Sequence, residues 1–144
     1  MALKFLIDSN VVLDMFLERE PFVTAARDVM ALSKDYDVQN FISASSVTDI
    51  YYIAYKNLKD HQVVRRHFKT LFEFVEVIKV TGDDIHAAFA LNWKDFEDSV
   101  QFAVADANKF DGIVTRNMEG FADDSVKIFT PEEVCRHVEN CLKE

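Results

Sequence analysis

The stretch KFLIDSNVVLD spans residues 4–14 and does the most to decide the fold of this chain. An apolar run ends abruptly in Asp8, and a polar pair and a second apolar run follow it. Leu6 and Ile7 predict a buried strand, and Ser9 is a typical N-cap for a helix over the next apolar residues. In open sheets of this kind, ligands bind where strands end and helices begin, so Asp8 is predicted to lie at that edge.

Segments typical of strands and helices alternate along the rest of the chain. Glycine and proline are scarce, at 3 and 2 residues, which favours compact helices with short connections. Strands separated by helices indicate a parallel sheet covered on both faces, so we predict one α/β domain of three layers, α/β/α, over residues 1–144. The predicted strands are 3–7, 38–42, 75–80, 112–115 and 126–129. The predicted helices are 10–17, 21–33, one capped by Ser45 or Ser46 that ends near 57, one capped by Asp60 that ends near 73, 82–92, 95–109 and one capped by Thr130 that starts at 131.

The charge balance restricts the classes of partner. Acidic residues outnumber basic ones by 25 to 16, which gives a formal net charge of −9. This balance argues against a general nucleic-acid coat protein, because phosphate binding needs a basic footprint. It does not exclude a nuclease, since carboxylates that hold cations present positive charge to phosphate locally.

The cysteines and the start of the chain indicate a location. Cys135 and Cys141 are six residues apart, which does not place them on one face of a helix, so we expect reduced thiols in a cytoplasmic protein. Residues 1–4 run straight into a strand without the pattern of a signal peptide. Since no apolar run approaches membrane-spanning length, no membrane association is expected.

Further isolated polar residues occupy equivalent places in the predicted topology. Asp49 is the only charged residue between positions 41 and 55, and Asp98 precedes an apolar helical turn. A buried strand ends at Thr115, and Asn117 follows shortly after it. Any one of these acids could be present only because the helix dipole favours a negative charge in the first turn. Together with Asp8, however, they predict a set of oxygen ligands along one edge of the sheet. Hard cations such as Mg²⁺ and Mn²⁺ prefer such ligands.

At these residues the sequence resembles the PIN domain family, which includes the VapC-like toxin ribonucleases of toxin–antitoxin pairs. The resemblance is carried by residues 8–14, by Asp98 before an alanine-rich helix, and by residues 113–117 with Phe121 after them. It implies a parallel sheet between helices and a divalent-metal-dependent phosphodiesterase that acts on RNA. It also implies an antitoxin protein as partner and a homodimer.

The family's acidic positions fall on Asp8, Asp49 and Asp98, which we predict to bind Mg²⁺ or Mn²⁺ directly or through water. The fourth position, commonly Asp, is Asn117, a weaker outer ligand or a residue that positions water. Asp49 is one methylene shorter than the usual Glu, and the loss of charge at Asn117 should weaken a second metal more than the first. Asp8, Asp49, Asp98 and Asn117 form the predicted catalytic set.

Four residues are predicted to contact substrate or the water around it: Ser9, Asn10, Thr115 and Arg116. Ser9 occupies the family's hydroxyl position and Asn10 follows it as the pattern requires. Thr115 could equally end its strand with a local hydrogen bond. Arg116 is preferred for phosphate because its guanidinium matches phosphate in a fork.

Three other acids near these positions are given simpler roles. Asp14 is favoured as a helix-face acid. Glu97 lies about 100° around a helix from Asp98 and is not expected to touch the metal. Glu119 could substitute for the missing fourth acid, but an exposed surface role is preferred.

Two other enzyme classes are set aside. A haloacid-type phosphatase needs a second Asp where this chain has Asn10, and a receiver domain needs an early acidic pair. The serious alternative is a PIN-like module that binds metal, RNA or a protein partner without cutting. Asp49 and Asn117 are the departures that support it.

Overall fold

The computed structural model describes residues 2–123 and 125–142, and it confirms the predicted three-layer α/β/α arrangement. None of the helices among these residues is both long and apolar enough to span a membrane. The strands are β1 (Leu3–Ile7), β2 (Val38–Ser43), β3 (Val75–Ile78), β4 (Gly112–Val114) and β5 (Ile128–Phe129). The helices are α1 (Ser9–Phe16), α2 (Val23–Asp35), α3 (Ala44–Leu58), α4 (His61–Leu71), α5 (Gly82–Leu91), α6 (Phe96–Ala107) and α7 (Pro131–Leu142), with a short 3₁₀ turn at Met118–Gly120.

All strand pairs are parallel, and the strand order is β3-β2-β1-β4-β5. The chain builds outward from β1 in one direction through β2 and β3, and in the other through β4 and β5. The direction therefore reverses between β1 and β4, and a crevice opens outside the carboxyl ends of strands at such a point. The Asp8 amide donates to the Val114 carbonyl oxygen at 2.9 Å, which holds these two strand ends together.

The central strand β1 supplies both hydrophobic cores. Phe5 and Ile7 belong to the core that α1, α2, α3, α4 and α7 cover, and Leu6 belongs to the core that α5 and α6 cover. All three side chains have no exposed surface. Alternate residues of a strand point to opposite faces, so an uninterrupted apolar run is what a strand between two layers of helices requires.

Several helices begin at residues other than those predicted. Asp8 rather than Ser9 caps α1, because its Oδ1 accepts from the Ser9 amide at 2.7 Å and the helix starts directly after the strand. For the same reason Ser43, the last residue of β2, caps α3. Pro21 was expected to open α2, which starts at Val23. The predicted caps at Asp60 and Thr130 are confirmed.

Gly112 should be indispensable for packing β5 on β4. A Cβ at this position would lie 2.5 Å from the Phe129 ring and 3.0 Å from the Lys127 carbonyl oxygen. We expect Gly112→Ala to lower the free energy of unfolding by about 1–3 kcal/mol in urea denaturation, because the ring must be displaced. Gly82→Ala is the matched control, since no atom lies within 4 Å of its Cβ, and its effect should stay below about 1 kcal/mol. Equal losses in the two variants would contradict this packing.

Candidate active site

An open cleft of about 300 Å³ lies where the chain leaves β1 and β4. Four carboxylates line it, and among the described residues they come from the end of β1 and the start of α6. The cleft brings together five of the predicted site residues. Its polar residues include Asp8, Ser9, Asn10, Asp95, Glu97, Asp98 and Asn117.

Asp8 is held in one orientation at the floor of this cleft. Its side chain is 6% exposed, and its Oδ2 accepts from the Thr115 hydroxyl at 2.8 Å while Oδ1 accepts from the Ser9 amide. Burial raises the pKa of Asp8, and the hydrogen bonds from Thr115 and Ser9 oppose this without cancelling it. The carboxylate is therefore fixed in place but still destabilised when charged.

Thr115 organises the residues around Asp8. Its hydroxyl donates to Asp8 and accepts from Asn10 Nδ2 at 3.2 Å and from the Asn117 amide at 3.1 Å. The side chain is fully buried and is not among the residues that line the cleft. The bond from the Asn117 amide is the local hydrogen bond expected at the strand end, and a role of Thr115 towards substrate stays a prediction. A further bond, from the Arg116 amide to Asn10 Oδ1 at 3.3 Å, ties the same loop to α1.

Asp98 enters the cleft from the first turn of α6. Asp95 caps this helix by accepting from the Asp98 amide at 3.1 Å. The Asp98 carboxylate lies directly against the backbone of Gly120, where a Cβ would overlap Oδ2. Sequence reasoning missed Gly120 because nothing local marks it: only the fold brings these two residues into contact.

Burial, and then repulsion between neighbouring carboxylates, raises the pKa of Asp98 and of Glu97. Burial raises the pKa of Asp98 to about 7, and the negative charges of Asp8, Asp95 and Glu97 contribute in that order. The pKa of Glu97 is also raised, first by burial and then by the charges of Asp8, Asp49 and Asp95. Without a cation, this cluster therefore retains protons near neutral pH.

Glu97 also lines the cleft, although it lies about 100° around α6 from Asp98, and the expectation that it does not touch the metal stays a prediction. Its Oε1 accepts from the Ser9 hydroxyl at 3.4 Å. The end of α6, rather than one side of it, faces the cleft, so residues at different angles around the helix axis reach the same space. The three acids in the sequence DFED at residues 95–98 were the feature of the sequence that could have indicated this position of Glu97.

Asp49 does not join the other acids. It is exposed on α3 and is not among the cleft residues, although its charge reaches Glu97. Within residues 2–123 and 125–142, no three His, Cys, Asp or Glu side chains converge closely enough to hold one ion. The structure thus brings Asp8 and Asp98 to one cleft without Asp49, and the ligand role of each stays a prediction.

Asp14 has a different role from the one expected, because it is buried between two arginines. Arg116 donates to it in a fork, at 2.5 Å from Nε and 3.1 Å from Nη2, and Arg19 Nη1 lies 3.5 Å from Oδ1. The Phe22 ring lies 4.0 Å from the Arg116 guanidinium carbon. The Arg116 guanidinium, which was predicted to bind phosphate, is thus bound to Asp14 in this structure. Arg19, not Arg116, lines the cleft.

The sequence pattern of the PIN domain family matches residues 4–119. The chain belongs to the PIN domain family. Its fold is similar to that of a toxin–antitoxin complex from Klebsiella pneumoniae, with a TM-score of 0.65 and 25% identity over 88% of this chain and 96% of the other. No curated protein matches the sequence.

Two further structures share the fold of this PIN domain. One is VapC20 of Mycobacterium tuberculosis, a sarcin–ricin loop cleaving toxin, with a TM-score of 0.65 and 13% identity over 81% of this chain and 92% of the other. The other is VapBC2 of Rickettsia felis bound to a promoter DNA fragment, with a TM-score of 0.70 and 12% identity over 89% of this chain and 98% of the other.

The donor set in the cleft of this PIN domain fits a hydrated Mg²⁺ or Mn²⁺ ion. The atoms of its acids and of Asn117 that can bind a metal are all hard oxygens. Mg²⁺ usually binds through one or two carboxylates and keeps several waters, so it does not need three converging acids. The positive charge of such an ion would relieve the repulsion between the carboxylates of Asp8 and Asp98.

Asp98→Asn should stabilise the metal-free PIN domain, and more at pH 8 than at pH 5. The pKa of Asp98 is raised from 3.8 to about 7, so the stability linked to it is present below about pH 4 and is lost as pH rises towards 7. We expect the gain to be larger at pH 8 by about 1–2 kcal/mol, after allowance for solvent screening, in urea denaturation with a chelator.

Asp106→Asn is the matched control, because Asp106 is an exposed acid further along α6. Its effect should not change between the two pH values. A destabilising Asp98→Asn substitution at pH 8 would show that the acids of the cleft do not repel one another as described.

Proposed function

We propose that this PIN domain is a divalent-metal-dependent endoribonuclease that hydrolyses RNA phosphodiester bonds. The observation that carries the proposal is the meeting of Asp8 and Asp98 in one open cleft at the carboxyl ends of the strands. Membership of the family and the likeness to a toxin that cleaves an RNA loop support the substrate class. The cofactor is Mg²⁺ or Mn²⁺.

Asp8 and Asp98 would hold the ion, with Asn117 and the more distant Asp49 acting through water. A bound divalent ion lowers the pKa of water and neutralises phosphate charge. The chain's own residues prepare the site for this chemistry: Thr115 and Ser9 keep the Asp8 carboxylate from rotating.

Glu97 is the group that we assign to accept a proton from the attacking water. Its carboxylate lines the cleft and is held by the Ser9 hydroxyl.

Arg19 is the side chain that we assign to a substrate phosphate, in place of Arg116. Arg19 and Arg116 share the single negative charge of Asp14, so these three side chains together keep a net charge of about +1. Arg19 is 37% exposed and lines the cleft, whereas Arg116 is bound to Asp14 through two of its nitrogens. Arg116 would then act by holding Asp14 in place beneath Arg19.

We further propose a toxin role, with an antitoxin protein as partner and a homodimer as the working form in the cytoplasm. The likeness to toxin–antitoxin complexes supports it. A second candidate is a PIN domain that binds metal or a partner without cutting. The position of Asp49 outside the cleft and the neutral Asn117 favour that alternative.

Cleavage of RNA should depend on Mn²⁺ or Mg²⁺ and on Asp8. With single-stranded and structured RNA, we expect Asp8→Asn to reduce the cleavage rate by at least about 100-fold, because the bound ion loses its main anchor. The measurement is product formation on denaturing gels with and without a chelator, and Asp106→Asn is the matched control for loss of one charge.

The outcomes separate the two candidate functions. Cleavage that survives Asp8→Asn would place the activity elsewhere or in a contaminant. Binding of Mn²⁺ by the wild type without cleavage of any RNA would favour the module that does not cut.

Arg19→Gln should weaken RNA binding more than it slows the chemical step. We expect KM to rise by about 10-fold with a smaller change in kcat, and the slope of log affinity against log salt to fall by about 1, because one phosphate contact is lost. Lys56→Gln, on the exposed end of α3, is the control. An unchanged KM and salt slope would remove Arg19 from the substrate site while leaving the nuclease proposal intact.

A further inference from the structure

Gln101 is a buried amide without hydrogen bonds. Its side chain has no exposed surface, and neither its oxygen nor its nitrogen has a partner among the described residues. Buried polar groups are nearly always paired, because an unmade hydrogen bond in the interior costs stability. An amide with both polar atoms unpaired therefore needs an explanation.

The position of Gln101 relates it to the cleft. It lies on α6 one turn after Asp98, so both side chains project from the same face of the helix. Its amide also acts on Asp8, whose pKa it lowers, although the two groups do not meet the geometric limits of a hydrogen bond. Gln101 is thus buried near Asp8 and one helical turn from Asp98, and it is not among the residues that line the cleft.

A second buried amide shows what is unusual about Gln101. Asn40, on β2, also has an unpaired oxygen, but its nitrogen donates to the Val29 carbonyl at 3.0 Å. That single bond ties α2 to the sheet and gives Asn40 a structural function. Gln101 has no such bond in the described part of the chain, so the fold alone does not account for its presence.

We propose that Gln101 is a positioning residue, which donates its amide to the Asp8 carboxylate when a divalent cation occupies the cleft. This inference rests on the proposed function, because it requires the cation. An amide that donates to a metal ligand orients that ligand. Because Thr115 and Ser9 already hold the Asp8 carboxylate, the Gln101 amide is the group that would turn towards it. Binding would bring this amide, which already lies close enough to lower the pKa of Asp8, into full hydrogen-bonding geometry.

The two possible roles of Gln101 predict opposite changes in stability. If its amide only supports the fold, Gln101→Met should lower the melting temperature and leave cation affinity unchanged. If it is a positioning residue, the same substitution should raise the melting temperature of the metal-free protein by about 2–6 °C, since an unpaired buried amide is removed.

The test combines these melting curves with Mn²⁺ titration followed by electron paramagnetic resonance. For Gln101→Met we expect Mn²⁺ affinity to fall by about 10- to 100-fold, the usual effect of removing a residue that supports a metal ligand. Asn40→Leu is the matched control, because it removes a buried amide outside the cleft and should leave Mn²⁺ affinity unchanged. Unchanged affinity in Gln101→Met overturns the inference, even when the wild type binds Mn²⁺ and cleaves RNA.

A measurement on the wild-type protein keeps the test independent of folding of the variant. On addition of Mg²⁺, the side-chain amide signals of Gln101 in a nitrogen-15 spectrum should shift downfield as the hydrogen bond forms. Signals that do not move while the protein saturates with Mg²⁺ would overturn the inference. A wild type that binds neither ion would overturn the proposed function together with it.

Discussion

The hydrogen bond from Thr115 to Asp8 is the constraint on which the candidate site depends. It joins residues 107 positions apart and is buried at the point where the strand order reverses. Without it, the carboxylate at the end of β1 would be positioned by the Ser9 amide alone. The same hydroxyl accepts from Asn10 and from the Asn117 backbone, so one buried atom fixes the floor of the cleft and the loop that forms its wall.

The site is assembled at a cost in stability, and the two cores are what make that cost tolerable. Asp98 is pressed against Gly120 among like charges, and Gln101 is buried without partners. Neither arrangement stabilises the fold, and both Asp98 and Gln101 lie near the Asp8 carboxylate. A stable scaffold can tolerate unfavourable contacts of this kind at a binding site, and here two of them lie beside the cleft.

The sequence was sufficient to predict the sheet, the helices and the approach of Asp8 to Asp98, because these follow from local patterns. A buried run that ends in an acid marks a strand end wherever it occurs. The position of Glu97 in the cleft was not predicted, because a helical wheel assumes contact along the side of a helix, whereas α6 presents its end. Asp49 was assigned from the family's second acidic position, and its side chain, which is exposed on α3, is not among the residues that line the cleft.

The role of Arg116 could not be predicted locally, since its partner Asp14 lies 102 residues away. This pairing also shows how an acidic protein can present positive charge at the proposed site. Asp14 neutralises one of its two arginines, and the surplus charge remains at Arg19, on the wall of a cleft that four carboxylates also line. A cation between the acids and an arginine at the edge would together offset the repulsion of a phosphate, so the net charge of the whole chain does not decide what the cleft can bind.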